Sequence, residues 1–190
     1  MEVMTMTESL THPAFGQPWT IHDLNRLPND EMCYEIVDGS LLVSPRSGVR
    51  HFRAAGMLRE VLAAQVPGDL FVGESGYLSV KGGTSCFLPD VMVVRRAALE
   101  FDDDAFEPAD VPLVAEVLSP SNRGNDLVLK RHYYAAGGIP HYWIVDPDKR
   151  TLTVLALDGD SYTERAVVEP GQVWESAEPF PLRIDPGDFL

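Results

Sequence analysis

The sequence predicts an α+β (mixed α/β) domain with one central, mixed and largely antiparallel sheet flanked by helices. Three observations lead there. The order of patterned segments is helix, hairpin, helix, several strands, helix, strands. An Asp-Gly pair sits between two alternating apolar runs early in the chain, and a second hairpin pattern follows "HYWIVDP" near the end. A chain of 190 residues, 45% of them hydrophobic, is long enough to bury a sizeable core, so one domain over residues 19–190 is expected behind a loose, flexible tail at 1–18.

The elements follow in order. "TIHDLNRLP" offers Thr20 as an N-cap with Asp23 three positions on, and Pro28 closes this short helix. In "YEIVDGSLLV" the Asp38-Gly39 pair supplies residues that tolerate positive φ, which predicts a hairpin. Residues 49–66 place Phe52, Ala55, Leu58, Leu62 and Val66 on one stripe, which is the helical period and predicts that all five pack on the sheet. Strand-like runs follow near 70–81 and 86–95, then an acidic loop, a strand at 112–118 and the turn-rich "SPSNRG". A helix from about 125 ends at Gly137-Gly138, with Pro140 beyond it. "HYWIVDP" reads as a buried strand, "RTLTVLAL" and "SYTERAVV" as a hairpin around "DGD", and "PFPLRI" as a last short strand.

Composition excludes several classes. No apolar run approaches the roughly 20 residues of a bilayer-spanning helix. The N-terminus has neither the basic start nor the apolar core of a signal peptide, so a soluble protein in the cytoplasm is expected. Two cysteines, Cys33 and Cys86, form no CxxC pair, and the five histidines form no HxH or HExxH pattern. Any metal would have to be held by oxygen, and no organic cofactor is indicated. A net charge of −14 argues against indiscriminate adhesion to nucleic acid. The distribution is uneven, however: Arg46, Arg50, Arg53 and Arg59 occur with no acid among them, while "EFDDDAFEPAD" at 100–110 has six acids and no base.

The chemistry-bearing residues are those that break the apolar patterns. Asp90 interrupts "FLPDVMVV" and Glu116 interrupts "PLVAEVL", where an ionised carboxylate is costly unless paired. By strand parity Asp90 shares a face with Met92 and Val94, and Glu116 with Val114 and Leu118. On neighbouring strands the two carboxylates come within reach of one ion, and Mg²⁺ favours such oxygen ligands. Glu35 interrupts a third apolar run, with a cross-strand partnership on the hairpin as its alternative role. Lys130 follows Asp126 by four positions on a helix. The pair reads either as an ordinary surface ion pair or as an ammonium placed to stabilise charge on a phosphoryl group.

"YEIVDGSLLVSP", "LPDVMVV", "LVAEVLSPSNRGND" and "KRHYYAAGGIPHYWIVDP" together resemble the Uma-type family of putative restriction endonucleases, a branch of the PD-(D/E)xK nuclease superfamily. The similarity runs from residue 20 to about 185. It implies a restriction-endonuclease-like core, with Pro89-Asp90 as the "PD" and Glu116 as the "(D/E)". Leu118 stands where the superfamily usually carries lysine, and Lys130 on the following helix takes that place. The resemblance implies a Mg²⁺-dependent endonuclease, with Mn²⁺ as a substitute, that cleaves DNA and leaves 5′-phosphates. Asp90 and Glu116 would be its metal ligands, Glu35 and Lys130 would complete the catalytic set, and Arg50, His51, Arg123 and Asp126 would be candidate substrate contacts. His51 also reads as a neutral or capping residue of its helix. Cleavage of two strands needs two sites, so a homodimer is expected. The alternative is a catalytically inactive module of the same fold that binds nucleic acid or protein.

Overall fold

The Asp38-Gly39 turn forms as its composition demands: both residues adopt positive φ, 45° and 76°. It joins β1 (Met32–Val37) to β2 (Ser40–Pro45) in an unbroken antiparallel register from Met32↔Pro45 to Val37↔Ser40. A Cβ on Gly39 would lie 2.7 Å from Pro18 Cβ, so the close approach of the chain before α1 (Ile21–Leu24) also requires glycine there. Thr20 is the N-cap of α1 as expected, with Asp23 completing the capping box by accepting from Thr20 N and Oγ1 at 2.9 and 2.7 Å, though the helix ends at Leu24, short of Pro28. The computed structural model describes residues 13, 16–101 and 103–190, so the tail expected over 1–18 lies, but for residues 13 and 16–18, outside the described residues.

The remaining elements are α2 (Val49–Ala63), β3 (Leu70–Gly73), β4 (Leu78–Val80), β5 (Ser85–Phe87), β6 (Val91–Arg95), β7 (Leu113–Val117), α3 (Arg131–Ala136), β8 (His141–Asp146), β9 (Thr151–Asp158), β10 (Ser161–Val168), β11 (Trp174–Ser176) and β12 (Leu182–Ile184). Among the described residues the central sheet has the order β10-β9-β8-β7-β6-β3, and only β7 and β8 pair in parallel. The fold class expected from the sequence is therefore the one observed. One central sheet is not the whole of it: β2-β1-β5-β4 form a second sheet, and β11-β12 a separate hairpin whose first strand the sequence pattern did not reveal.

The chain crosses from the second sheet to the first at Leu88-Pro89-Asp90, between β5 and β6. Proline has no N–H to give a ladder, so the strand expected over 86–95 breaks there. The run expected over 70–81 breaks at Ser75, whose φ is 59°.

Two apolar layers sandwich the central sheet. On one face Ala54, Ala55, Leu58 and Leu62 of α2 pack against Val91, Val93, Ala115 and Val117. On the other, Tyr133 and Tyr134 of α3 join Met92, Val94, Val114, Leu118 and Tyr142. The buried stripe of α2 differs from the sequence expectation at one end, where Phe52 is 77% exposed; Val66 lies beyond the helix end but still packs, half-buried, against this layer. Leu58 is fully buried at the centre of this layer, so Leu58→Ala is expected to cost about 2–5 kcal/mol, read as a lowered urea midpoint with an unchanged slope. No described helix is long and apolar enough to cross a membrane.

Candidate active site

A parallel pair of strands needs a long crossover, and the chain spends residues 118–140 on the one between β7 and β8. That crossover carries α3 over the face of the sheet toward which Glu116 points. Ahead of α3 lies one stretch of wider, π-type helix, Asn125–Lys130, in place of the regular α-turns expected from 125. Asp126, Lys130 and Tyr134 follow one another at four-residue spacing and are all buried, at 1%, 4% and 0% exposure. The surface ion pair is thereby excluded as an account of Asp126 and Lys130.

Lys130 is the hub of the site. Its Nζ lies 3.0 Å from Glu35 Oε1, 3.0 Å from Glu116 Oε1 and 3.5 Å from Asp126 Oδ1. Glu116 Oε1 also accepts from Tyr134 Oη at 2.7 Å, while among the described residues none hydrogen-bonds to Oε2. Glu35 is buried, and its Oε1 also accepts the Leu88 N–H at 2.9 Å, a donor released by the strand break. Its hairpin position therefore serves the cluster and not a cross-strand pair.

Asp90 sits one residue outside β6, where the pleat no longer fixes its direction. The face it was expected to share with Met92 and Val94 is not what determines its contacts. Its Oδ2 accepts the Val117 N–H at 2.7 Å at the end of β7 and lies 2.9 Å from His51 Nε2 at the start of α2. Both Asp90 and Glu35 thus take up main-chain donors that the broken ladder leaves free, which ties the position of the carboxylates to the break itself.

These residues open into one cavity of about 630 Å³, walled by Glu35, His51, Asp90, Glu116, Asn122 and Lys130. Among the described residues neither the buried Asn122 Oδ1 nor Asp126 Oδ1 beneath the floor has a hydrogen-bond partner, the latter facing Lys130 Nζ only as an ion pair at 3.5 Å. Neither Arg50 nor Arg123 reaches this wall. Arg50 pairs with Asp148 at 3.0 Å and donates to the Pro147 carbonyl at 2.7 Å, and Arg123 pairs with Asp146 at 2.7 Å. Asp126 supports Lys130 from below and does not line the cavity.

The electrostatics follow from four carboxylates gathered around one ammonium. Burial pushes Glu116 well above the ordinary carboxylate range, with Lys130 opposing it and the neighbouring carboxylates adding to it. Burial likewise pushes Asp126 up to about 6, against the pull of Lys130. Burial alone would lower Lys130, but Glu116, Glu35, Asp126 and Asp90 together outweigh it and hold the ammonium above its usual range. The site therefore carries a surplus of negative charge and a lysine that stays protonated. Among the described residues no group of three or more His, Cys, Asp or Glu side chains is arranged to hold a metal ion by itself.

Asn122 and Tyr134 are the two site residues that sequence reasoning missed. Tyr134 had a signal, the four-residue spacing from Lys130. Asn122 had none beyond its place in the turn-rich loop after β7.

The model of the Uma2 family, described as "putative restriction endonuclease", matches residues 21–186. The chain belongs to that family. In three dimensions it resembles the crystal structure of "a putative nuclease belonging to DUF820" from Anabaena variabilis ATCC 29413, with a TM-score of 0.70 and 17% sequence identity, over 90% of this chain and 97% of that one. At that identity the likeness establishes a shared fold. No curated protein matches the chain.

Proposed function

We propose that this Uma2 protein is a divalent-metal-dependent endonuclease that hydrolyses phosphodiester bonds in DNA, with Mg²⁺ as its ion and Mn²⁺ able to replace it. The observation that carries the proposal is the buried Lys130 ammonium, held by Glu35 and Glu116 at the floor of a cavity that Asp90 borders. Mg²⁺ is commonly held through one or two carboxylates, with water and substrate phosphate completing its shell. The donors fit that requirement. Among the described residues nothing hydrogen-bonds to the second oxygen of Asp90 or of Glu116 or to the buried Asn122 Oδ1, and the surrounding charge is negative. When bound, the ion would act as a Lewis acid on the phosphoryl oxygens.

The chain's own groups have separable tasks. The Val117 N–H and His51 fix Asp90, and Tyr134 fixes Glu116, so neither carboxylate has to be ordered when substrate arrives. Because its neighbours keep Lys130 protonated, its ammonium acts as a donor to the developing phosphoryl charge and not as a base. In the hydrolysis a water oxygen bonds to phosphorus as the bond to O3′ breaks, leaving a 5′-phosphate and a 3′-hydroxyl. Cleavage of both strands requires a second site, which a symmetric homodimer would provide; sedimentation should find two chains per particle, and a one-chain mass at micromolar concentration would exclude it.

Calorimetric titration of Mg²⁺ or Mn²⁺ into wild type and the Asp90→Ala/Glu116→Ala double variant, followed by incubation of both with plasmid DNA, tests the proposal. Saturable binding and nicking are expected from wild type only. The reading of an inactive binding module rests on one feature, the closed pairing of Lys130 by carboxylates, and predicts that the two proteins behave alike.

A further inference from the structure

Among the described residues the first turn of α2 carries the two most exposed large apolar side chains: Val49 is 83% and Phe52 77% exposed. A single exposed phenylalanine needs no explanation. Phe52, however, lines the same cavity as His51, Asp90, Glu116 and Lys130. This end of α2 meets the carboxylate site through the His51–Asp90 contact, so the ring stands at the mouth and not over the sheet.

The chain segment that carries it is basic, although the cavity it borders is also lined by Glu35, Glu74, Asp90 and Glu116. Arg46, Arg50 and Arg53 are exposed on the same stretch, in a chain of net charge −14. Asp148 already pairs Arg50. Arg46 also lines the cavity, and its guanidinium donates to the neutral Asn29 Oδ1 at 3.2 Å, which orients it without cancelling its charge. Among the described residues neither Arg46, on the cavity wall with Phe52, nor Arg53, the next residue of the helix and outside that wall, has a carboxylate partner. Exposed guanidiniums and a ring that faces solvent are the two components of a single-strand nucleic-acid site: phosphates contact the cations and a base stacks on the ring. A second copy of this chain docked symmetrically would instead bring like charges together.

We infer that the surface formed by Arg46, Phe52 and Arg53 binds an unpaired stretch of DNA, with one base stacked on Phe52 and the flanking phosphates on the two arginines. This deepens the nuclease reading and rests on it, because it names single-stranded, gapped or flapped DNA as the substrate class. The reason is geometric. In a regular duplex each base face is covered by its neighbours, so no ring surface is available to Phe52. A cavity of about 630 Å³ is of the size that encloses a small ligand such as one nucleotide.

The test is fluorescence anisotropy of a labelled single-stranded DNA 12-mer and of the same sequence as a duplex, titrated with the full chain in EDTA so that binding is read without cleavage. Wild type should bind the single strand more tightly. Phe52→Ala should weaken single-strand binding by about 5- to 100-fold, Phe52→Trp should restore it, and duplex binding should not change. Arg46→Gln and Arg53→Gln should each reduce the slope of log affinity against log salt by about 0.7. All three side chains are exposed, so unchanged thermal melting is expected and checks that the variants fold.

Equal binding by wild type and Phe52→Ala overturns the inference, as does the absence of any single-strand binding. A Phe52→Ala protein that falls from dimer to monomer with its DNA affinity intact also overturns it, and assigns the surface to a second copy. Incubation of wild type with plasmid and with circular single-stranded DNA in Mg²⁺ or Mn²⁺ separates the two levels. Metal-dependent cleavage of either DNA with binding independent of Phe52 leaves the nuclease reading standing and removes this surface; Phe52-dependent binding with no cleavage of either DNA in any metal does the opposite.

Discussion

Replacing Lys130 with methionine is expected to destabilise the protein by about 3–5 kcal/mol at neutral pH, the cost of leaving buried charge without its partner, and to abolish phosphodiester hydrolysis. Methionine keeps most of the side-chain volume, so little of the loss would come from a cavity. What disappears is the one cation that lies, among the described residues, within 3.5 Å of Glu35, Glu116 and Asp126. The defect should depend on pH in a defined direction. In metal-free wild type, burial raises Asp126 from 3.8 to about 6, and Glu116 is raised as well. A carboxyl whose folded pKa exceeds its unfolded value binds more protons when folded. Its contribution to stability is therefore complete below about pH 4 and lost as pH rises through about 6. Lys130, raised in the fold, contributes throughout the range below its ordinary 10.5 and is lost only as pH climbs past its elevated value. Removing Lys130 takes away the influence that lowers both carboxyls, so their window extends upward and the deficit should grow between pH 5 and pH 8. Urea denaturation of wild type and variant at those two pH values measures this; equal midpoints at pH 8 would mean that the ion pairs contribute nothing to the fold.

The same cluster explains what could be read from the sequence. Asp38-Gly39, the capping residues of α1 and the apolar runs of β7 and β8 are local signals that formed close to where their residues placed them, whereas the run expected over 86–95 divided at Pro89 into β5 and β6. Glu35, Asp90 and Glu116 were visible because each contradicts an apolar context, and a contradiction of that kind needs a partner; Lys130 was visible only through its four-residue spacing from Asp126 and its place after "EVLSPS". What escaped was whatever depends on where an element ends relative to its neighbours. Phe52 fits the helical stripe of α2 in sequence, but it lies on the turn that meets the cavity mouth and not the sheet. Arg50 and Arg123 look like free cations in the sequence, and find Asp148 and Asp146 only after β8 and its following turn are in place. Asn122 is a loop residue like any other until the crossover folds it onto the cavity wall. The division of the strands into two sheets follows from the break at Pro89, which marks a discontinuity but not the direction the chain takes after it.

Glu116→Gln should separate stability from activity in the opposite sense to Lys130→Met. Glutamine preserves the shape of the side chain and keeps a carbonyl oxygen able to accept from Lys130 and from Tyr134, so the hydrogen bonds of Oε1 survive. It removes one charge from a cluster in which four carboxylates outnumber a single lysine and in which Glu116 itself is raised by burial. Stability should therefore be unchanged or raised by up to about 1 kcal/mol. The free second oxygen proposed for the metal becomes an amide NH₂, which repels a cation. Metal binding should disappear from calorimetry, and cleavage should fall by roughly 10³-fold or more, the scale expected when a group acting on the reacting centre is lost. A variant that melts several degrees lower yet still binds Mg²⁺ would show that Glu116 is there to neutralise Lys130, and the site would then be a structural ion cluster. Gain of stability with loss of the metal is the outcome that a charge surplus held ready for a cation requires. A purely structural cluster has no reason to keep more carboxylates than its lysine can satisfy, because each additional buried charge weakens the fold it sits in.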